Sequence, residues 1–134
     1  MADNFLLEII TPYRKLLSEE VEVVTAPGEL GEFGVLAGHA HFFTLLKAGR
    51  VTYKTGRESA SIAVSRGYAE VGPEKTTLLV DGAAAAGEID LPAVREELRE
   101  AEEKLNALTE NDPDWRSATE AVEYAEARIS VKED

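Results

Sequence analysis

His39 and His41 are the only imidazoles in the chain. Two residues apart on an extended segment, they would face the same side and could offer a pair of nitrogen ligands. No carboxylate stands beside them to complete a metal site. The plainer reading is one buried, hydrogen-bonded histidine and one on the rim. Just upstream, Gly28, Gly31 and Gly34 fall every third residue within Ala26–Ala40, APGELGEFGVLAGHA. Glycine at this density marks backbone that takes positive φ or passes close to another surface, and it first suggests a phosphate cradle. A phosphate loop, however, opens directly into a helix and usually ends in Gly-Lys-Ser/Thr. Here no lysine follows until Lys47, and His41–Leu46 reads as strand. The glycines therefore predict tight turns between short strands. Ser59, Ser61 and Ser65 lie in a strand pattern with no base at a fixed spacing. Cysteine is absent, which removes disulfides, thiol nucleophiles and zinc–thiolate sites. No catalytic constellation emerges, and neither a cofactor nor a metal is expected.

The elements that must hold these residues divide at Gly87. Residues 1–87 read as strands: Val21-Glu22-Val23, Val51-Thr52-Tyr53-Lys54, Ser61–Ser65 and Thr76–Val80 carry two-residue patterning. Pro27-Gly28, Ala48-Gly49, Thr55-Gly56 and Gly72-Pro73-Glu74 supply turns between them. Such spacing predicts an antiparallel β-sandwich or barrel. Ala83–Ala86 and Gly87 read as a last short strand and a hinge. From Asp90 the period becomes helical. Leu91, Val94, Leu98, Ala101, Leu105 and Leu108 form one seam, and Trp115, Ala118, Val122, Ala125 and Ile129 a second. Asp90 is the expected cap of the first helix, with Pro92 in its opening turn. Thr109-Glu110-Asn111 breaks the pattern, and Asp112-Pro113 is the expected start of the second helix. A short loop makes the pair antiparallel, with Leu91 opposite Ile129 and Leu105 opposite Trp115, which reads as seam packing. Alanine faces alanine in the middle of this seam, so the hairpin needs the sandwich or a partner as a second surface. The fold class is α+β: a sandwich over 1–87, then a helical hairpin over 88–134.

The chain of 134 residues has a formal charge of −12. Residues 1–87 hold 8 basic and 11 acidic side chains, and residues 88–134 hold 6 and 15. This balance argues against nucleic acid and anionic lipid as partners. No apolar run approaches the roughly 20 residues of a membrane span. The opening MADNFLLEIITP lacks the basic region and cleavage site of a signal peptide.

Pro27-Gly28-Glu29-Leu30-Gly31-Glu32-Phe33-Gly34-Val35-Leu36-Ala37-Gly38-His39-Ala40 resembles the signature of the epsilon subunit of F-type ATP synthases, whose mitochondrial homologue is called delta. Thr44–Val51, Ile62–Val71, Leu78-Leu79-Val80-Asp81 and Glu88-Ile89-Asp90 are similar to further segments of that family, so the likeness runs nearly end to end. The resemblance implies a non-catalytic central-stalk subunit, peripheral to the cytoplasmic face of a bacterial inner membrane, that joins the gamma subunit to the c-ring. It implies c-ring contact at Glu32, on a turn Gly31-Glu32-Phe33-Gly34, and gamma contact at His39. It also implies a hairpin that either folds on the sandwich or extends toward the alpha and beta subunits and inhibits ATP hydrolysis. His41 departs from the family, which usually has proline there. Some members bind ATP in the hairpin. Ile89-Asp90 matches the start of that motif, Arg95 stands five residues after Asp90 and not three, Arg128 matches one arginine of the second helix, and Tyr124 occupies the other. Glu120, Glu123 and Glu126 surround the few basic residues of the second helix, so weak or altered inhibition is expected. Competing readings are a stand-alone acidic protein-interaction module and, third, a ligand-binding sandwich. The Ala26–Ala40 string favours the rotor subunit.

Overall fold

The computed structural model describes residues 3–133. Ten strands precede two helices: β1 (Phe5–Ile10), β2 (Lys15–Val21), β3 (Val23–Gly28), β4 (Gly31–Leu36), β5 (Phe42–Leu46), β6 (Gly49–Thr55), β7 (Glu58–Val64), β8 (Gly67–Val71), β9 (Lys75–Val80) and β10 (Ala83–Ala85), then α1 (Leu91–Asn106) and α2 (Trp115–Glu133). A 3-10 turn over Ala86–Glu88 joins the two parts. The strands form one path, β10-β7-β6-β3-β5-β8-β9-β1-β2, with β4 on the side of β3.

β3 is where the sheet folds over. Its first half pairs with β6 at Val23–Thr25, and its last residue, Gly28, lies opposite Leu46 of β5. The inward side chains of both halves then meet in one core that includes Phe5, Leu7, Ile9, Val24, Val35, Leu46, Val51, Val64, Val71 and Leu78. Every pairing is antiparallel except one: β1 runs parallel to β9, with Leu7 opposite Thr76 and Ile9 opposite Leu78. A parallel pair needs a long connection, and the seven strands between β1 and β9 provide it. β1 and β2 carry little alternation in sequence. Glu8 sits 6% exposed on β1, clamped by Lys15 Nζ at 2.6 Å and Lys75 Nζ at 2.7 Å. Those two ammonium groups, Lys15 foremost, hold the Glu8 carboxyl down at about 2.

Several local expectations change. Val21-Glu22-Val23 is not one strand. Glu22 is a bend between β2 and β3, its N–H donating to Lys54 O at 2.8 Å and its carboxylate accepting from Gly56 N at 3.0 Å. Glu32 does not sit on a turn. The turn is the two-residue tip Glu29-Leu30, and Gly31 opens β4 with φ +139°, a conformation side chains rarely adopt. Gly28 opposite cannot carry a side chain either, since a Cβ there would fall 2.6 Å from Gly31 O.

Asp90 caps α1 through a bond from Ala93 N to Oδ1 at 3.2 Å, with Pro92 in the first turn. α1 ends at Asn106, so Leu108 lies beyond it. α2 begins at Trp115 and not at Asp112, because the Asp112 carboxylate is taken by Thr109 N at 3.1 Å and braces the loop. Ion pairs Arg95–Glu133 and Arg128–Glu97 cross the hairpin. α2 packs on two surfaces. Ala125 turns toward α1, while Ala127 and Val131 join Ala63 and Ile89 in a second buried cluster on the sandwich. The hairpin is docked, as its alanine-rich seam requires.

Candidate docking surfaces

Glu32 lies on the outward side of β4, opposite Pro27, and its side chain is exposed. Alternation turns its neighbour Phe33 inward, where the ring meets Phe42 edge to face at 5.5 Å. Phe42 in turn lies 6.1 Å from the His39 ring. His39 is half-buried, and its Nδ1 is 2.7 Å from Ala40 O, while His41 is exposed. The two histidines therefore do not form a pair, and among the described residues no group of three or more metal-ligating side chains could hold an ion. Gly31, Glu32, Phe33 and His39 thus line one end of the sandwich, along β4 and the loop after it. The arrangement leaves the Glu32 carboxylate exposed on the outward face of β4, free to accept from a cationic donor, with the aromatic pair on the inward face.

Sequence reasoning missed the surface beside it. Leu45 of β5 lies opposite Tyr68 of β8, Tyr68 opposite Leu79 of β9, and Leu79 opposite Ile10 of β1. Residues paired across strands share a face, so these four form one apolar row on the outside of the sheet. Leu45 is 50% exposed and Tyr68 42%, with Phe43 at 61% packing its ring 5.4 Å from Tyr68. Among the described residues no element covers this row. A signal was present: Leu45-Leu46, Leu78-Leu79 and Ile9-Ile10 are apolar doublets where strict alternation would place one polar residue.

The opposite side of the sandwich is covered. Ala63 of β7 and Ala84 of β10 pair with each other beneath α2. Polar contacts surround them: Arg66 Nη1 to Glu120 Oε1 at 2.9 Å, Arg50 Nη2 to Ser130 O at 2.6 Å, and Lys132 Nζ to Ala86 O at 3.1 Å. Below the linker, Arg14 forks onto Glu88 at 2.6 and 2.9 Å, which lowers the Glu88 carboxyl below its ordinary range. Ser65 has a structural partner. Its hydroxyl accepts from Gly82 N at 2.6 Å and fastens the loop before β8 to the one before β10.

The three residues of the suspected nucleotide site have structural work of their own. Asp90 caps α1, Arg95 pairs with Glu133, and Arg128 pairs with Glu97 at 2.6 Å while its guanidinium carbon stacks 4.3 Å over the Tyr124 ring. Arg128, Lys104, Glu97 and Glu100 border a cleft of about 360 Å³, where the carboxylates offset the positive charge.

The sandwich thus has one face sheathed by its own hairpin and an apolar row exposed on the other. Comparison with known sequences identifies the family. The family described as "ATP synthase, Delta/Epsilon chain, beta-sandwich domain" matches residues 4–86, and "ATP synthase, Delta/Epsilon chain, long alpha-helix domain" matches residues 88–133. The chain belongs to the ATP synthase delta/epsilon chain family. It is similar to the ATP synthase epsilon chain of Geobacter metallireducens, 45% identical over 131 residues, covering 98% of this chain and 95% of that one. The epsilon chain of Syntrophobacter fumaroxidans is 42% identical over 99% of this chain and 98% of its own. The same fold occurs in a chain of the Euglena gracilis mitochondrial ATP synthase, OSCP/F1/c-ring structure (TM-score 0.77, 24% identity, 95% of this chain and 80% of that one). It recurs in the Tetrahymena thermophila mitochondrial ATP synthase central stalk/c-ring structure (TM-score 0.61, 13% identity, 98% and 95%).

Proposed function

We propose that this chain is a non-catalytic subunit of the central stalk of a proton- or sodium-translocating F-type ATP synthase, joining the gamma subunit to the c-ring. The observation that carries the reading is membership along the whole length, with both halves of the family present in order. The chain divides at Gly87, into a sandwich that binds the rotor and a hairpin that responds to its state.

The gamma subunit takes the open apolar row of Leu45, Tyr68, Leu79 and Ile10, with His39 at the border of that contact. A row of large apolar side chains left uncovered is what a permanent partner buries. Continuity supports His39: it touches Phe42, the first residue of β5, and β5 carries Phe43 and Leu45 outward. The polar loops of the c-ring take Glu32, which Gly31 and Phe33 hold on β4. An exposed carboxylate there suits arginine or lysine on such loops. The subunit sits at the cytoplasmic face of a bacterial inner membrane through its partners. Among the described residues no helix is long and apolar enough to cross a membrane.

The hairpin reaches the alpha and beta subunits only when released, and its acidic second helix makes inhibition of hydrolysis weak. ATP is not held tightly, because Asp90, Arg95 and Arg128 would have to give up a cap and two ion pairs. An equilibrium titration should find no ATP affinity tighter than millimolar.

Co-expression with a matching gamma subunit, read by native mass, tests the reading. A one-to-one complex is expected. Two folded proteins that do not associate would refute the stalk role and leave family and fold standing.

A further inference from the structure

Where the hairpin meets the sandwich, half of the buried side chains are alanines. The buried cluster consists of Ala63, Ile89, Val94, Ala125, Ala127 and Val131. Alanine against alanine lets backbones approach but buries little apolar area per contact. Leu98, Tyr124 and Ile129 border it, and the position of Tyr124 is specific. A Cβ built on Gly82 would lie 3.2 Å from Tyr124 Cε2 and 3.3 Å from both Cζ and the phenol oxygen. The ring therefore rests on bare backbone, in a notch that exists because residue 82 has no side chain.

That notch is rigid. Gly82 N donates to Ser65 Oγ at 2.6 Å, and Gly82 O accepts from Ser65 N at 2.9 Å. On its other face the ring is covered by Arg128, 4.3 Å from its centroid, which is itself held by Glu97 of α1. One aromatic plane is thus clasped between a fixed loop of the sandwich and a cation anchored to the other helix. Burial raises the Tyr124 phenol above its ordinary range, so the ring stays neutral at physiological pH. The adjoining groove, lined by Ser65, Arg66 and Gly82 on one bank and Glu120 and Tyr124 on the other, also holds the Arg66–Glu120 bridge. A rigid aromatic in a fitted pocket has the anatomy of an interface hot spot.

We propose that Tyr124 seated on Gly82 is the pin that fastens the hairpin to the sandwich and sets how often the hairpin is released. This rests on the reading of the hairpin as a separable element. Because the ring packs on backbone, the pin can be blocked from the sandwich side without touching the hairpin. Gly82 has no positive φ, so alanine there costs no backbone strain. Its methyl group would stand a few tenths of an ångström too close to the ring, which must give by that much in its clasp.

The test uses the full-length chain. Its lack of cysteine allows spin labels at two introduced positions, Glu58→Cys on β7 and Glu102→Cys on α1, both exposed. Distances between them by pulsed electron resonance give the docked and released populations. Gly82→Ala should raise the released fraction roughly tenfold, the scale of a modest overpacking. Tyr124→Ala should raise it at least as much. In the Tyr124→Ala background, Gly82→Ala should have no further effect. An equal effect of Gly82→Ala in both backgrounds would show that it merely bends the Ser65–Gly82 loop, and would overturn the pin. A released population indifferent to both residues would overturn it too while sparing the separable hairpin. No released population in any variant, with the sandwich amides still protected from exchange, would overturn both.

Discussion

Beneath α2 the outward positions of β7 and β10 carry Ala63 and Ala84. On the opposite side of the sandwich the outward positions of β5, β8, β9 and β1 carry Leu45, Tyr68, Leu79 and Ile10. Both rows are apolar, yet they differ in the size of what they present and in what surrounds it. The covered row uses methyl groups ringed by Arg50, Arg66 and Lys132, so its contact is close in fit, small in apolar area and dependent on charge. The open row offers large side chains and is built for lasting burial. Under the proposed function, the covered contact is the one that opens and the open row the one that a partner keeps buried.

A charge placed in the open row should break the comparison most severely. Tyr68→Glu is expected to weaken gamma binding by a hundredfold or more, roughly the loss of a desolvated hot spot, with the thermal unfolding midpoint nearly unchanged. A titration against isolated gamma reads it. Loss of the folded state alongside binding would mean that Tyr68 serves the sandwich and not a partner. On the covered side, Ala63→Leu should force α2 outward at a cost of about 1–3 kcal/mol. Exchange of α2 amides should speed up while those of β1 and β9 hold, which would also support a division at Gly87. Arg66→Ala should loosen the hairpin by only about 0.2–1 kcal/mol, because the bridge to Glu120 is partly exposed. Its effect should vanish in high salt; persistence would point to packing by the arginine stem.

The last test concerns Glu8, on the open face but beside the row, whose contribution is full at neutrality and lost in acid. Its carboxyl is lowered in the folded state, so the stabilisation from Lys15 and Lys75 is complete above the unfolded value of about 4.5 and fades as the pH falls toward about 2. Glu8→Gln should flatten the acid limb of the stability curve between those values and move acid unfolding to higher pH. An unchanged acid limb would show that the lysines do not grip it in solution.

The parts of this structure that are local in sequence were legible. The Asp90 cap and the presence of two helices rest on residues within a few positions of each other, whereas the glycine turn was placed too late in the chain, on Gly31–Gly34 and not on Glu29-Leu30. The β1–β9 pairing, the Glu8 clamp and the open row join residues far apart, and no local pattern records them. α2 was read for one face because alanine is nearly silent in a periodicity count, so Ala127 and Val131 did not announce a second surface. Of the site residues, Glu32 and His39 came into view only through family resemblance; their own chemistry is that of any exposed acid and half-buried imidazole.

The parallel seam between the first and ninth strands also has a consequence in time. β1 cannot take its final neighbour until Lys75–Val80 has left the ribosome, which at bacterial speeds of about 5–20 residues per second means a wait on the order of ten seconds. During that interval Phe5, Leu7 and Ile9 have only the β2 hairpin to shelter them. Newly made chains should therefore be at their most vulnerable to chaperone capture before residue 80 emerges, and far less so after it.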